Sequence, residues 1–157
     1  MGATYYSVIY AAILCIVAMP EAMAQGPASI ALSVELHQGV DMDCIASAAG
    51  HVPGVASLAR SAPSELYVAS PDETKVDKFA YQAAGFGGTL TFAPSFLGNS
   101  LYFRHTVDFP DGPPPAARLA EIRGFMHLVD RTLGANCGIP DLARTDEHCV
   151  GPSCAEK

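Results

Sequence analysis

Alternating apolar and polar side chains indicate a strand most clearly between residues 101 and 109. Apolar side chains occupy most odd positions there and polar ones the even positions, which is the period of two expected of a half-buried strand. His105 is the exception, because it takes an odd position between Phe103 and Val107. The same alternation over 30–36 indicates another strand near the start of the chain.

A hairpin is predicted between these two strands in the sequence. Its arms are 79–84 and 89–93, and Gly85-Phe86-Gly87-Gly88 is expected to form the turn, with Phe86 at its tip. A short strand is predicted over 66–69. Loops are predicted over the two flanking segments that contain proline and charge, 57–65 and 70–77.

Apolar residues spaced three or four positions apart predict two helices. The first covers 42–51, with Asp41 as its N-cap and Pro53-Gly54 ending it. The second covers 116–133 and carries one apolar stripe over about five turns. Gly134 is expected to be its C-cap, because glycine commonly ends a helix.

The order of strand, helix, several strands and helix predicts an α+β fold. Short turns between consecutive strands imply antiparallel pairing. We therefore expect a two-layer sandwich in which an antiparallel sheet of four to five strands carries two helices on one face. A single domain is expected over 25–134, followed by a disulfide-stapled tail at 135–157.

The N-terminus has the pattern of a secretory signal peptide. An unbroken apolar run at 8–19 precedes Pro20 and Ala22-Met23-Ala24, the small-x-small pattern that signal peptidase accepts. We therefore expect residues 1–24 to be cleaved, which makes the protein secreted or periplasmic. The run is shorter than the ~20 residues of a membrane-spanning helix, so no stable membrane anchor is expected after cleavage.

The charge balance is acidic, with nine Lys and Arg against sixteen Asp and Glu. Loss of the leader removes one acid, Glu21, and no base. Nucleic acids and anionic lipids require clustered Lys and Arg, so the composition argues against both as partners. The expected partner is an unknown protein or small molecule, and no cofactor or metal is predicted.

Four cysteines remain after the leader, and an even number in an exported chain indicates disulfide bonds. We predict Cys44–Cys137, which joins the two helices, and Cys149–Cys154, which closes a small loop in the tail. Pairing Cys137 with Cys149 and Cys44 with Cys154 is the alternative. The spacing C-x11-C-x4-C fits no common zinc motif, and the redox motif C-x-x-C does not occur.

The segment DCIASAAGHVPGV at 43–55 resembles part of the heavy-metal-associated ferredoxin-like domains. In those domains a helix headed by a cysteine leads through a Pro-Gly-Val turn into a strand, and a Cys-x-x-Cys pair binds the metal. Here Asp41 stands where that pair has its first cysteine, and only Cys44 remains. The resemblance therefore implies a local helix–turn–strand geometry without the metal chemistry.

His105 is the main candidate for chemistry, because it lies on the apolar face of its strand. A histidine in this position acts as a general base or ligand, or it is a neutral imidazole bonded to a backbone carbonyl or a tyrosine. We interpret it as a neutral, structural imidazole at the sheet margin. The alternative is a site that combines His105 with His127 or Asp130 on the second helix.

The polar face of the same strand is the candidate binding surface. Tyr102 and Arg104 lie on it with Thr106 and Asp108, and the alternative is an ordinary solvated face. Phe86 at the hairpin is a separate contact candidate if its ring is exposed, and otherwise it folds back onto the core edge. The hydrolase motifs G-x-S-x-G and H-E-x-x-H are absent from the sequence. These features favour a non-catalytic binding or interaction module of the cell envelope. A hydrolase-like or metal-handling protein built on His105 is the alternative.

Overall fold

A computed structural model of the chain describes residues 28–62, 64–65, 75–95, 100–139 and 146–150. These residues form seven strands and two helices. In chain order they are β1 (Ala28–Leu36), α1 (Met42–Gly50), β2 (Ser57–Arg60), β3 (Ser64–Glu65), β4 (Lys75–Ala83), β5 (Phe86–Pro94), β6 (Leu101–Phe109), α2 (Ala116–Cys137) and β7 (Asp146–Val150).

The strands form one antiparallel sheet in the order β2-β4-β5-β6-β1-β7, and the short β3 also pairs with β4. One row of side chains crosses the sheet through Phe79, Leu90, His105 and Leu32. Both helices pack on the face that carries this row, because apolar residues of α1 and α2 share its hydrophobic cluster. The predicted α+β two-layer sandwich with two helices on one face is therefore confirmed.

The first helix begins as the sequence indicates. The Asp41 side chain accepts a hydrogen bond from the Asp43 backbone N–H at 2.9 Å, which satisfies one of the open donors of the first turn. Gly54 then adopts a φ of 98°, a conformation that glycine takes without strain, and β2 follows at Ser57. The helix–turn–strand geometry implied by the resemblance over 43–55 is present.

The loop predicted over 57–65 is wrong, because this segment contains β2 and β3. β2 is mostly exposed and lacks apolar alternation, so its only strong signal is the backbone pairing with β4. Arg60 adds side-chain contacts at its end: it bonds Asp77 of β4 at 2.9 Å and Asp43 of α1 at 3.1 Å. The strand predicted over 66–69 lies outside the described residues.

The second helix continues one turn beyond its predicted end. It runs to Cys137, and the C-cap is Gly138 with a φ of 66°, whereas Gly134 lies inside the helix. The prediction of Gly134 as the cap is therefore wrong. The extra turn carries Cys137 to its disulfide partner and is followed by Ile139, which is buried. Tertiary contacts thus override the stop signal of a mid-helix glycine.

The hairpin between β4 and β5 turns earlier than predicted. Ala83 pairs with Phe86, so only Ala84 and Gly85 form the connection, and Gly85 has a φ of 80°. The predicted four-residue turn over Gly85–Gly88 is therefore wrong, because its last three residues belong to β5.

Phe86 is consequently not an exposed tip residue. Its ring is half-buried and lies 5.4 Å from the Phe125 ring, at the edge of the core.

The predicted disulfide bond Cys44–Cys137 is present and joins the first turn of α1 to the last turn of α2. The Cys154 residue and the Cys149 side chain lie outside the described parts, so the pair Cys149–Cys154 stays a prediction. Part of the predicted tail forms β7, which pairs with β1 along Asp146–Val150. Among the described helices, neither has the length and apolar character needed to cross a membrane.

Candidate functional site

His105 lies at the centre of the helix-covered face of the sheet. It is 0% exposed, and its strand β6 is flanked by β5 and β1 rather than lying at the margin. The prediction that it occupies the apolar face is confirmed, whereas the predicted position at the sheet margin is wrong. Because the ring is removed from solvent, both of its nitrogen atoms require partners inside the protein.

Both ring nitrogens have such a partner. Nδ1 is 2.8 Å from Oδ1 of Asp130 on α2, and Nε2 is 2.8 Å from the Tyr81 hydroxyl on β4. A carboxylate only accepts hydrogen bonds, so Nδ1 is the protonated ring nitrogen and its N–H donates a hydrogen bond to Asp130. In the neutral ring, Nε2 then accepts from the Tyr81 hydroxyl. We call these three residues the buried trio.

Gly88 makes the position of Tyr81 possible. The two residues are opposite each other in β4 and β5, and a Cβ atom on Gly88 would overlap the phenol ring. The Tyr81 ring therefore crosses the neighbouring strand and reaches His105, which lies two strands away in the sheet. The rings of Phe86 and Phe125 surround it, with centroids 6.4 and 5.9 Å from that of Tyr81.

The electrostatic environment of the trio favours a neutral phenol. Burial raises the pKa of Tyr81 above its ordinary value, and the negative charge of Asp130 raises it further. Asp130 is itself 1% exposed, and its second oxygen, Oδ2, has no hydrogen-bond partner among the described residues. The trio therefore introduces a buried carboxylate that only His105 satisfies within this part of the chain.

The trio lies where two hydrophobic clusters meet. One cluster contains Phe103, Val129 and Leu133, and the other contains Val107 and Met126. His105 stands between Phe103 and Val107 along β6, and Asp130 follows Val129 on α2. The hydrogen bonds of the trio thus connect the sheet to α2 between two apolar regions, and they fix the position of the helix along the strand.

A chain of tyrosine, histidine and aspartate can transfer protons, but a substrate must reach it. Tyr81, His105 and Asp130 are each at most 1% exposed. Two cavities of about 330 and 360 Å³ are present elsewhere, and none of the three residues lines either of them. The arrangement is therefore suited to holding the core together and is closed to a ligand in this conformation.

The second histidine considered from the sequence is not part of the trio. His127 is exposed on α2. Within the described residues, no group of three or more His, Cys, Asp or Glu side chains could hold a metal ion. The structure therefore brings together His105 and Asp130 and leaves His127 apart.

The opposite face of the sheet carries the polar stripe predicted from β6. Tyr102 is 40% exposed and Arg104 is exposed beside it. Arg104 pairs across the sheet with Thr91, which in turn pairs with Lys78. Neither described helix covers this face, since both pack on the other side. Lys78 is also exposed on this face, with Thr91 between the two cations, whereas Ala31 and Ser33 at the β1 side of the same face are 1% and 4% exposed.

Phe86 lines the cavity of about 330 Å³ at the hairpin end of the sheet, together with Asp108 from the end of β6. The Arg118 guanidinium lies over the Phe86 ring, with its Cζ atom 5.6 Å from the ring centroid. Arg118 also donates a hydrogen bond to the Ala84 carbonyl. Phe86, a separate contact candidate at the hairpin, thus packs at the edge of the core and does not lie in the row of Tyr102 and Arg104.

Tyr81 is the residue of the trio that sequence reasoning did not single out. Its signal was present: it follows Phe79 by two positions, so both side chains point to the same face of β4. Its partner could not be inferred, because the contact spans the whole of β5. A comparison with protein-family models finds no matching family, and a comparison with curated proteins likewise finds no match.

Proposed function

We propose that the protein is an exported binding or interaction module of the cell envelope, without catalytic activity, which contacts its partner through the polar face of the sheet. The observation that supports this proposal most directly is the exposure of Tyr102. It is 40% exposed on a face that neither described helix covers. A tyrosine with an open ring face provides a large contact area at low cost in side-chain entropy.

The charged neighbours of Tyr102 support a contact surface with a defined orientation. Arg104 and Lys78 lie in one row across β6, β5 and β4, with Thr91 between them. Glu35, the residue opposite Tyr102 on β1, adds a carboxylate whose pKa is lowered by hydrogen bonds from Ser100 and Ser95. Charges of both signs on one face favour a partner whose surface carries the complementary charges, which gives the interface specificity and a fixed orientation.

A hydrolase-like function based on His105 and Asp130 is the second candidate, because their 2.8 Å contact resembles the orientation of an acid–base histidine by a carboxylate. It requires the core to open, since both side chains are buried. The two functions separate experimentally: a catalytic role predicts that Asp130→Asn abolishes turnover with the fold retained, while the binding role predicts no turnover in either protein.

The binding surface is tested by quantitative pull-down of the purified protein with envelope fractions. We expect the double variant Tyr102→Ala/Arg104→Ala to bind about 10-fold or more weakly, as buried Tyr and Arg anchors of an interface do. Arg131→Ala, at an exposed position of α2 on the other side of the sheet, is the matched control and should bind as the wild type. Equal binding by all three proteins would exclude the face.

Export is tested separately by expressing the full chain and fractionating the cells. Intact mass of the recovered protein should correspond to loss of residues 1–24. Alkylation under denaturing conditions should find no free thiol. Protein that retains the leader and remains in the cytoplasm would contradict the exported location, whatever the result of the binding assay.

A further inference from the structure

A cavity of about 360 Å³ lies between the two helices and opens to solvent. Its lining includes the buried Ala48 and four polar side chains, which are Ser47 and His51 from α1 and Thr132 and Asn136 from α2. Ser47, His51 and Asn136 are exposed, so a solute can reach this cavity, unlike the buried trio. Its volume is at the small end of ligand sites, which are about 300–1,000 Å³, and suits a small molecule or a single side chain.

The His51 ring contributes an open hydrogen-bond acceptor. Its Nδ1 atom is 2.6 Å from the backbone oxygen of Ser47. A carbonyl oxygen only accepts, so Nδ1 is the protonated ring nitrogen and its N–H donates this hydrogen bond. In the neutral ring, Nε2 therefore carries a lone pair and accepts a hydrogen bond from a donor group.

Thr132 and Asn136 likewise direct donors to their own helix. The Thr132 hydroxyl donates to the Leu128 carbonyl oxygen at 2.8 Å, and the Asn136 side-chain amide donates to the Thr132 carbonyl oxygen at 2.9 Å. The Oγ1 lone pairs of Thr132 and the Oδ1 atom of Asn136 remain as acceptors. With Nε2 of His51 they give three acceptors on the lining of one cavity. The donors that remain among these four side chains are one amide N–H of Asn136 and the Ser47 hydroxyl, which also accepts.

The ends of both helices add partial negative charge to this region. His51 is the C-cap of α1, and Asn136 is in the last turn of α2. The last carbonyl groups of a helix lack partners within the helix, so that end carries a partial negative charge. Neither last turn contains a basic side chain that would offset it. A cationic donor is therefore favoured over a neutral one.

We infer that this cavity binds a primary ammonium group through His51, Thr132 and Asn136. Such a group carries a positive charge and three N–H donors, which equals the number of acceptors on the lining. This is the chemistry of a free alkylamine or of a lysine side chain. The site is independent of the polar sheet face proposed for partner binding, because it lies in the helix layer on the other side of the sheet.

The cavity has its shape before a ligand enters. The disulfide bond between Cys44 and Cys137 fixes the start of α1 to the end of α2. Ile45 and Ala49 are buried and pack α1 on the core. A site that is formed in advance loses little affinity to the ordering of its walls.

The inference is tested by NMR titration of the purified, isotope-labelled protein in mildly alkaline buffer, in which an alkylamine is still charged. The probes are n-butylammonium and n-butyltrimethylammonium chloride, which share a charge and an alkyl chain, although only the first has N–H donors. We expect n-butylammonium to shift the backbone amide signals around the cavity and to saturate below about 10 mM. The trimethyl probe should bind at least about 10-fold more weakly, because it cannot donate. Equal affinity of the two probes, or no saturable shift at the cavity, would overturn the inference.

Two variants test the acceptors themselves. His51→Phe removes Nε2 and keeps a ring, and Thr132→Val removes the hydroxyl and keeps the side-chain shape. His127→Phe, at an exposed position of α2 outside the lining, is the matched control. We expect n-butylammonium to bind about 10-fold more weakly to His51→Phe and about threefold more weakly to Thr132→Val, because each loses a charge-assisted hydrogen bond. Urea midpoints establish that the variants are folded. Wild-type affinity in both variants, or an equal loss in His127→Phe, would contradict the site.

A lysine-containing peptide separates the two sources of the ammonium group. Acetyl-Gly-Lys-Gly-amide carries the same head group on a peptide backbone, and its trimethyl-lysine counterpart is the control. Binding at least about 10-fold tighter than that of n-butylammonium would assign the site to a lysine of a partner protein, because backbone contacts then add to those of the head group. Equal or weaker binding would assign it to a free amine. A peptide that binds equally well with and without the methyl groups would overturn the inference for both sources.

Discussion

His105 and Asp130 form a hydrogen bond of 2.8 Å between Nδ1 and Oδ1, with both side chains at most 2% exposed. The contact links β6 to α2 where the two hydrophobic clusters meet. Burying a carboxylate is unfavourable unless it is paired, so this contact restricts how α2 can pack on the sheet. The contact therefore selects one packing arrangement of α2 on the sheet as well as contributing to stability.

Removing one member of the trio should cost more than removing all three. Asp130→Leu leaves the His105 Nδ1–H without an acceptor and should lower the free energy of unfolding by about 3 kcal/mol. The triple variant Tyr81→Phe/His105→Leu/Asp130→Leu removes every unsatisfied group and should be less destabilised than the single variant. Urea unfolding measures both, and a triple variant as unstable as the sum of single changes would contradict this account.

Tyr81 should make the protein sensitive to alkaline pH. Its pKa in the folded state is raised above the value of 10.0 that it has when unfolded, so the neutral phenol favours folding. This contribution is fully present below pH 10 and is lost as the pH rises toward the folded pKa, by about 1.4 kcal/mol per pH unit.

Tyr81→Phe should remove that alkaline decline and lower stability at pH 7 by about 1 kcal/mol through loss of the hydrogen bond to His105. The exposed Tyr102→Phe is the control and should keep the decline. The free energy of unfolding is measured by urea titration from pH 7 to 11. An alkaline decline of equal slope in Tyr81→Phe would assign the effect to other groups.

Two glycine-to-alanine changes should have opposite signs. Gly88→Ala brings a Cβ into the Tyr81 phenol ring and should destabilise by about 2 kcal/mol. Gly124→Ala, inside α2, has no atom within 4 Å of the added Cβ and should stabilise by about 0.5–1 kcal/mol. Thermal unfolding compares them. Stabilisation by Gly88→Ala would mean that the Tyr81 ring does not occupy the space next to the Gly88 Cα atom.

Loss of the Cys44–Cys137 bond should lower the free energy of unfolding substantially. The two residues are 93 positions apart, and the chain-entropy model gives about 4–5 kcal/mol for a loop of that length. Cys44→Ala/Cys137→Ala is the test in urea, with Cys149→Ser/Cys154→Ser as the comparison. A loss below about 1 kcal/mol would indicate that the unfolded chain is already restricted in that region.

Elements with a strong local pattern were predictable from the sequence. β6 has the bounds that alternation indicates, and α1 begins where Asp41 caps it. β2 was missed because an exposed edge strand carries no apolar alternation. The end of α2 was misplaced because the helix continues past Gly134 to Cys137, where the disulfide bond holds its last turn. Both errors have the same cause: the deciding contacts are distant in the chain.

The candidate site was predictable only in part for a related reason. The inner position of His105 followed from alternation in β6, and a tyrosine was among its expected partners. Its identity as Tyr81 depends on the register of three strands and on the absence of a side chain at Gly88. The contact with Asp130 depends on where α2 lies along the sheet, which no spacing in the sequence specifies.

The position of β1 between β6 and β7 has a consequence for synthesis. Ile30 is opposite Val107 on one side and Cys149 on the other, so the earliest described strand pairs with two of the latest. While the ribosome is still making the intervening chain, β1 has no strand to pair with, and sheet closure awaits contacts of long sequence separation, which form slowly. The sheet of this topology is therefore completed only after the ribosome has synthesised β6 and β7.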